Sequence, residues 1–325
     1  MRQSGSCLLA ILLVGCTAYG QAPAQKRALV YESEAWVPGA PLDHVPQYSG
    51  GMVVSCDPCR AKEPILFTVD RQNRRDELVF ELKGSGYISV NGIAAGPDGA
   101  LAVAGYGISD DSRIAPFIAL ISPDRKSQVV NRTWPFLPYA VTVAPDGTVW
   151  AVGPIEAADA NVYLNDNVLR HYDPSGRLLA TATVKARRGK DDSIVSVVSN
   201  LMASSDRVGW MTLACEYIEF SFDAKELGRY DCPPGRMNSQ DWAGVALNAG
   251  NDVVLGAKRN APFAPLELDR ATRTWDPVAV PAGYALESHW ILGFDGPSLV
   301  TGSLLGGYKV RRFNWGDAQP GAGVP

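Results

Sequence analysis

The stretch VTVAPDGTVWAVG, residues Val141–Gly153, alternates large apolar residues with small or polar ones, breaks at Pro-Asp-Gly, and then alternates again. A period of two on both sides of a tight-turn tripeptide predicts two antiparallel strands joined as a hairpin. A looser copy, IAAGPDGALAVAG, spans Ile93–Gly105. The same strand-turn-strand unit therefore occurs more than once, which indicates a repeat architecture.

Weaker copies of the unit continue along the chain. The residues that end the aligned turns are Gly99, Gly147, Arg207, Asn251 and Pro297, and the steps between them are 48, 60, 44 and 46 residues. A period of this length is typical of stacked or circular arrays of supersecondary units. The 60-residue step leaves room for an insertion before the fourth unit.

A second hairpin follows each first one, as in NVLRHYDPSGRLLATATV and YIEFSFDAKELGRYDC. Each second hairpin has an aspartate at or near the end of its first strand, where a carboxylate can accept backbone N–H groups and set the turn. These residues are Asp70, Asp124, Asp173, Asp223 and Asp269. Two hairpins in each period give four strands, which is the content of one propeller blade.

The fold class predicted from this repeat of two hairpins is all-β, a single six-bladed β-propeller of four-stranded blades over residues 21–316. The sixth unit lacks a fourth strand near the C-terminus, and Arg27–Glu32 is expected to supply it and close the ring. Residues 317–325 read as a disordered tail. Trp150 and Trp210 share one column of the second strand, which predicts packing between blades. Two packed β-sandwiches are the alternative, and the even period counts against them.

The N-terminus, residues 1–20, reads as an export signal. Arg2 supplies a positive charge, and Leu8–Val14 is an apolar run too short to span a bilayer. Leu13–Cys16 is similar to a bacterial lipobox, which predicts lipidation of Cys16; ordinary cleavage after Gly20 is the alternative. The expected location is the bacterial periplasm or outer membrane, or else the medium, with membrane contact only through the lipid.

Four cysteines remain after the signal, an even number that suits an oxidising compartment. Cys215 and Cys232 flank one hairpin and are predicted to form a disulfide. Cys56 and Cys59 form a C-x-x-C, for which a local loop disulfide is favoured over a redox couple or half of a metal site.

The net charge of −4 and the absence of a clustered basic face exclude nucleic acid as the expected partner. The run Lys185–Lys190 is basic, but Asp191 and Asp192 follow it directly, so it reads as a solvated loop. The expected partner is a small molecule or an envelope protein.

The phrases NGIAAGPDGALAVAG, VTVAPDGTVWAVG and LRHYDPSGRLL resemble blades of the NHL-repeat and SMP-30/gluconolactonase-like propellers over about residues 27–315. The resemblance implies a ligand site at one end of a central channel, lined by the starts of the innermost strands and the loops that lead into them. The candidate ligand-binding residues at those places are Asn91, Tyr139, Asp241, Trp242, Glu287 and His289.

Members of that family hold a divalent cation with a Glu, an Asn and an Asp. Asn91-Gly92-Ile93 matches the family's N-G-[LI] motif, whereas its other two motifs have no clear counterpart here. Asn91, Asp241 and Glu287 are therefore candidate ligands of a cation such as Ca²⁺, which prefers oxygen donors. For Asn91 the competing interpretation is a turn residue favoured by the Asn-Gly pair.

Histidines and aromatic residues supply the remaining candidates. His171 is expected to be a packing residue, and His289 could act as a base oriented by Glu287 or could belong to a polar rim. Aromatic residues in the same loops are divided between blade core and a stacking surface. They are Tyr87, Trp134, Tyr139, Trp242, Tyr284 and Trp290.

These observations predict an exported, lipid-anchored binding module for a ligand or a protein in the bacterial envelope. Catalytic residues are not identified. The alternatives are a metal-dependent lactonase or related hydrolase that uses the channel mouth, and a purely structural scaffold.

Overall fold

A computed structural model describes the protein over residues 27–36, 47–49, 52–55, 64–69, 75–79, 81–109, 111–156, 163–184, 200–212, 215–233, 244–256, 262–286, 289–303 and 309–317. The first half of the strands comprises β1 (Arg27–Trp36), β2 (Gln47–Ser49), β3 (Met52–Ser55), β4 (Pro64–Val69), β5 (Arg75–Val79), β6 (Tyr87–Ala95), β7 (Leu101–Ile108), β8 (Ile114–Ile121), β9 (Gln128–Arg132), β10 (Ala140–Val143), β11 (Val149–Glu156) and β12 (Tyr163–Tyr172).

The second half comprises β13 (Leu178–Val184), β14 (Asn200–Ala203), β15 (Arg207–Met211), β16 (Glu216–Ser221), β17 (Glu226–Asp231), β18 (Val245–Leu247), β19 (Val253–Leu255), β20 (Leu266–Asp269), β21 (Thr274–Pro277), β22 (Trp290–Asp295), β23 (Ser298–Ser303) and β24 (Lys309–Asp317). A single helical turn, α1 (Ala282–Ala285), precedes β22.

The strands form four-stranded antiparallel sheets. In chain order the first five sheets of the described residues are β2–β5, β6–β9, β10–β13, β14–β17 and β18–β21, each with consecutive strands as neighbours. The sixth has the order β1-β24-β23-β22. The all-β class is confirmed, and the arrangement is consistent with a β-propeller.

The stretch Val141–Gly153 forms the predicted hairpin, with β10 paired to β11. In its turn the N–H of Ala144 donates to the carbonyl of Thr148 at 2.8 Å, and Gly147 has a φ of +82°. This left-handed conformation explains the glycine, because residues with a Cβ rarely adopt it. In the sixth unit the left-handed residue is Gly296, one position before the predicted Pro297.

Aspartates set the turns of the second hairpins, as predicted. Asp173 Oδ1 accepts the N–H groups of Ser175 and Arg177, both at 2.9 Å. The hydroxyl of Ser175, followed by the N–H of Arg177, lowers the pKa of Asp173 to about 2. Asp269 in the same way accepts the N–H of Ala271 at 2.9 Å. Asp70 lies outside the described residues.

The N-terminal strand completes the last sheet. β1 pairs with β24, with Arg27 opposite Asp317 and Trp36 opposite Lys309. The predicted strand ended at Glu32, whereas β1 continues past a bulge to Trp36. β24 ends at Asp317, one residue past the predicted boundary, and residues 318–325 lie outside the described part of the chain.

The core lies between adjacent sheets. Trp150 and Trp210 are buried together with Leu169, Ile218 and Phe220 between the third and fourth sheets, which confirms the predicted packing column. The first strands of consecutive sheets also touch: β2 contacts β6, β6 contacts β10, β10 contacts β14, β14 contacts β18, β18 contacts β22, and β22 contacts β2.

The predicted disulfide joins Cys215 to Cys232, with Cα atoms 5.5 Å apart and a sequence separation of 17. A loop of this size gives a stabilisation of about 3 kcal/mol. Cys16, Cys56 and Cys59 lie outside the described residues. In the part of the chain that the structure describes, no helix has the length and apolar character to span a membrane.

Candidate functional site

Each sheet has one end at which its first strand begins and its second and third strands are joined. We call this the connection end. The opposite end holds the tight turns described above. Asn91, Tyr139 and His289 lie in or just before the first strands of the second, third and sixth sheets, on the side of the connection end. Asp241, Trp242 and Glu287 lie outside the described residues.

Asn91 occupies a β-bulge inside β6, and the interpretation of a turn residue is therefore wrong. Its buried side chain donates from Nδ2 to the carbonyl of Pro138 at 3.0 Å. A Cβ on the neighbouring Gly92 would lie 3.2 Å from the carbonyl oxygen of Tyr139. The Asn-Gly pair thus brings the second sheet close to the entry of the third: Gly92 permits the approach and Asn91 bonds across it.

Tyr139 is half-buried against the core between the third and fourth sheets. Its backbone N–H donates to the carbonyl of Val152 at 2.9 Å, which fixes the residue as an extension of β10. The ring therefore contributes packing area to that core as well as lying at the entry of the first strand.

His289 is buried and lies within a polar row that crosses the sixth sheet. Its Nδ1 is 3.2 Å from Thr301 Oγ1, and its Nε2 is 3.0 Å from Arg311 Nη1. A guanidinium can only donate, so Nε2 accepts and the imidazole is neutral, with its proton on Nδ1. In this arrangement the Nε2 lone pair of His289 is directed at Arg311.

Arg311 links the histidine to the N-terminal strand. Its Nε donates to Glu34 Oε2 at 2.6 Å, and its guanidinium lies 5.0 Å from the ring centroid of Tyr284. Partial burial raises the pKa of Glu34, but hydrogen bonds and charge from Arg311 and Lys309 outweigh it and hold that pKa below its usual value. The sequence predicted the histidine but not its partners Arg311 and Glu34. The one sequence signal for Arg311 is its place in the strand KVRRFNW, where it is two residues from Phe313 and so shares a face with that core residue.

No group of three or more histidine, cysteine or acidic residues within the described ranges could hold a metal ion. Of the three candidate cation ligands, only Asn91 is described, and its amide nitrogen is engaged by Pro138. The cation site therefore stays a prediction for Asp241 and Glu287.

His171 is a packing residue, as predicted. Its ring is stacked on Trp150 with centroids 4.0 Å apart, and its Nδ1 is 3.1 Å from the carbonyl oxygen of Phe222. Burial lowers the pKa of His171, and this effect outweighs the opposing ones of the Phe222 carbonyl and of Asp146. The folded state therefore favours the neutral ring.

We expect the free energy of unfolding to fall as the pH drops below about 6.5, the value at which an unfolded histidine takes up its proton. Below that pH the unfolded state binds more protons than the folded state at His171, so stability is lost on acidification, with a ceiling of about 1.4 kcal/mol per pH unit. Urea titrations at pH 7.5 and 5.5 measure the difference. His171→Phe should shrink it, and an unchanged difference would contradict this assignment.

Exposed large apolar side chains of the described residues occupy two places. Six lie at the connection end, where Trp134 is 54% and Leu286 is 81% exposed; the six are Trp36, Val79, Tyr87, Ile114, Trp134 and Leu286. The other six lie away from the connection end on outermost strands: Val30 and Tyr31 in the middle of β1, and, within the first two residues after a tight turn, Val129, Leu178, Leu179 and Leu227. Of the predicted stacking aromatics, Tyr87 and Trp134 are exposed, whereas Tyr139, Tyr284 and Trp290 are partly buried.

No protein-family model matches the chain, and no curated protein sequence matches it. Solved structures align at low identity. A protein of unknown function from Bacteroides caccae has a TM-score of 0.45 at 9% identity, over 79% of this chain and 82% of its own. BBS1N, solved in complex with ARL6DN, has a TM-score of 0.46 at 9% identity, over 87% and 81%. TolB from Acinetobacter baumannii has a TM-score of 0.47 at 12% identity, over 81% of this chain and 63% of TolB.

Proposed function

We propose that this chain is an exported, lipid-anchored, six-bladed β-propeller that binds a partner protein at its connection end in the bacterial envelope. The observation that carries the proposal is the group of six exposed apolar side chains at the connection end, which includes two tryptophans and a tyrosine.

The propeller is supported by the contacts of the first strands. Each first strand touches those of the preceding and following sheets, and β22 of the last sheet touches β2 of the first. Because β1 fills the fourth position beside β24, the sixth blade combines strands from both ends of the chain. Pairing of this kind covers an edge that would otherwise stay open.

The assignment of partner binding to the connection end is supported by the six exposed apolar side chains found there. At the opposite end the described turns carry aspartate, serine, asparagine and glycine, and Asp173, for example, accepts the N–H groups of Ser175 and Arg177 within its own turn. At the connection end Tyr87, Ile114 and Trp134 expose apolar area in and around the second sheet, where Tyr87 pairs with Ile108 and Ile108 with Ile114. Exposed aromatic and aliphatic side chains grouped on one face are typical of protein interfaces.

Export is supported by the disulfide between Cys215 and Cys232, since such bonds persist in oxidising compartments. The lipid anchor rests on the lipobox at Leu13–Cys16. Mass spectrometry of the mature protein tests it: a diacylglyceryl group on an N-terminal Cys16 is expected, and an unmodified N-terminus at Gln21 would contradict the anchor.

Site-specific photo-crosslinking tests the binding end. We expect benzoylphenylalanine at Trp134 or Leu286 of the full chain, made in a bacterial host, to give adducts with another protein, because these side chains lie in the proposed interface. The readout is the mass of the adducts and the identity of the joined protein.

Leu227 serves as the matched control, because it is 51% exposed but lies on the outermost strand β17. Adducts from Leu227 equal to those from Trp134 would show nonspecific capture and would refute the interface. If neither Trp134 nor Leu286 gives adducts, while a small ligand from a lactone and sugar panel raises the melting temperature, the proposed protein partner is wrong and a small-molecule module takes its place.

A further inference from the structure

The outermost strand of the third sheet, β13, is unusual among the outermost strands. Its sequence, Leu178–Val184, is LLATATV, with two β-branched threonines and no charged residue or proline. Natural sheet edges are normally protected by charges, prolines or a covering segment, because an unprotected edge pairs with other strands.

The other outermost strands have such protection. β1, β5, β17 and β21 each contain charged residues, and β21 ends in a proline. β9 ends in a charged residue and is also covered: Gln128 Nε2 donates to the carbonyl of Glu81 at 3.1 Å and Arg132 Nη2 donates to that of Lys83 at 2.9 Å, so the chain between the first and second sheets runs beside it.

Among the described residues, no strand pairs with the outer edge of β13. Within the described residues its backbone bonds only to β12, with Thr181 opposite Arg170 and Ala180 opposite His171. Leu178 and Leu179 at its start are 47% and 44% exposed, and Thr181 and Thr183 are exposed farther along. The strand therefore has backbone groups that no described strand pairs, together with exposed apolar area, and both can be buried by a neighbour.

We propose that β13 pairs antiparallel with β13 of a second copy of this chain, which forms a two-fold symmetric dimer through one continuous eight-stranded sheet. Centring the pair on Thr181 places Thr181 opposite its counterpart, Ala180 opposite Ala182, and Leu179 opposite Thr183. An isologous contact of this kind repeats each pair on both sides of the axis.

The absence of charged residues from β13 favours a second copy of the same strand as its partner. An edge that recognises a foreign strand by electrostatic complementarity needs charged side chains, and β13 has none. Self-pairing instead requires that no like charges oppose each other at the axis, and it gains from threonine pairs directly across the strands. The dimer lies outside the connection end, so it can fail while the proposed binding function stands.

Sedimentation equilibrium of the full chain in density-matched detergent tests the dimer. We expect the wild-type mass to double as the concentration rises from about 1 to 100 µM, the range of a small interface. Thr181→Lys opposes two lysines at the axis and should raise the dissociation constant at least about tenfold. Thr181→Val, which removes only the uncharged threonine pair, should raise it by less than about fivefold, and Val129→Lys, on the covered strand β9, should leave it unchanged.

A wild-type mass that stays monomeric over this range would overturn the proposal, as would a Thr181→Lys variant that dimerises like wild type. Hydrogen exchange on the wild-type chain gives a second measurement that does not depend on a folded variant. The amides of Leu178–Val184 should gain protection with concentration and those of Gln128–Arg132 should not. Equal behaviour of the two strands refutes pairing at β13.

Discussion

Trp150→Ala is expected to lower the free energy of unfolding by about 3–5 kcal/mol, the range for removing a buried tryptophan from a packed core. The indole is fully buried between the third and fourth sheets. One face is stacked on His171, and the ring of Phe222 lies 5.9 Å away between centroids. His171 lies on β12 of the third sheet and Phe222 in the turn after β16 of the fourth, so the two rings cannot close on the cavity without moving the backbone.

Chemical unfolding followed by circular dichroism measures this loss. Trp134→Ala is the matched control, because the same side chain is removed from an exposed position, and it should change stability by less than about 0.5 kcal/mol. Similar losses for the two variants would mean that the core between the third and fourth sheets does not stabilise the fold as the packing indicates.

Glu219→Ala should cost about 3 kcal/mol or more, because it leaves two guanidinium groups without their shared carboxylate. Glu219 is 1% exposed in the middle of β16. Arg270 of the fifth sheet donates from Nη2 to Oε1 at 2.5 Å, and Arg207 donates from Nη1 to Oε2 at 3.3 Å. The carboxylate therefore ties the fourth sheet to the fifth.

Glycines on the two neighbouring strands leave space for the buried Glu219 carboxylate and its arginine partners. Glu219 stands between Gly209 and Gly228 on the neighbouring strands. A Cβ on Gly209 would lie 2.2 Å from the hydroxyl of Tyr217, which itself donates to Glu219 Oε1 at 3.2 Å. Burial, followed by the charge of Glu219, raises the pKa of Tyr217 well above its usual value, so the phenol stays protonated and remains a donor.

Glu226→Ala is the comparison variant, since Glu226 is 42% exposed and pairs with Arg229 at the surface. Its loss should be within about 1 kcal/mol. In a double-mutant cycle, Glu219→Ala and Arg270→Ala should together cost less than the sum of the single changes, because removing the second partner relieves an unpaired charge. Strict additivity would argue against a direct interaction.

Much of the fold could be predicted because its signals are local. The Pro-Asp-Gly turns, the alternating strands and the aspartates of the second hairpins each act within a few residues. Even the pairing of β1 with β24 followed from counting strands, since the sixth unit was one short. The disulfide was predictable for the same reason, because Cys215 and Cys232 flank a single hairpin.

The candidate site could be predicted only in part, because its chemistry depends on partners far apart in sequence. Asn-Gly is a turn signal in isolation, but Asn91 lies in a bulge that only the approach of Pro138 from the next sheet explains. The neutral state of His289 depends on Arg311, which in turn depends on Glu34 on a strand from the other end of the chain. No short window of sequence contains these relations.

The pairing of β1 with β24 has a consequence for how the protein folds. Arg27 is the first residue of the described chain and its partner Asp317 is the last, so the sixth sheet cannot be completed until the whole described stretch has been synthesised. Until then β1 has no partner among the described strands, and Arg27 and Asp317 have the largest sequence separation of any pair in the described residues. Contacts of this kind slow folding and expose the chain to aggregation. The step that pairs β1 with β24 is therefore expected to limit the rate at which the last sheet is completed.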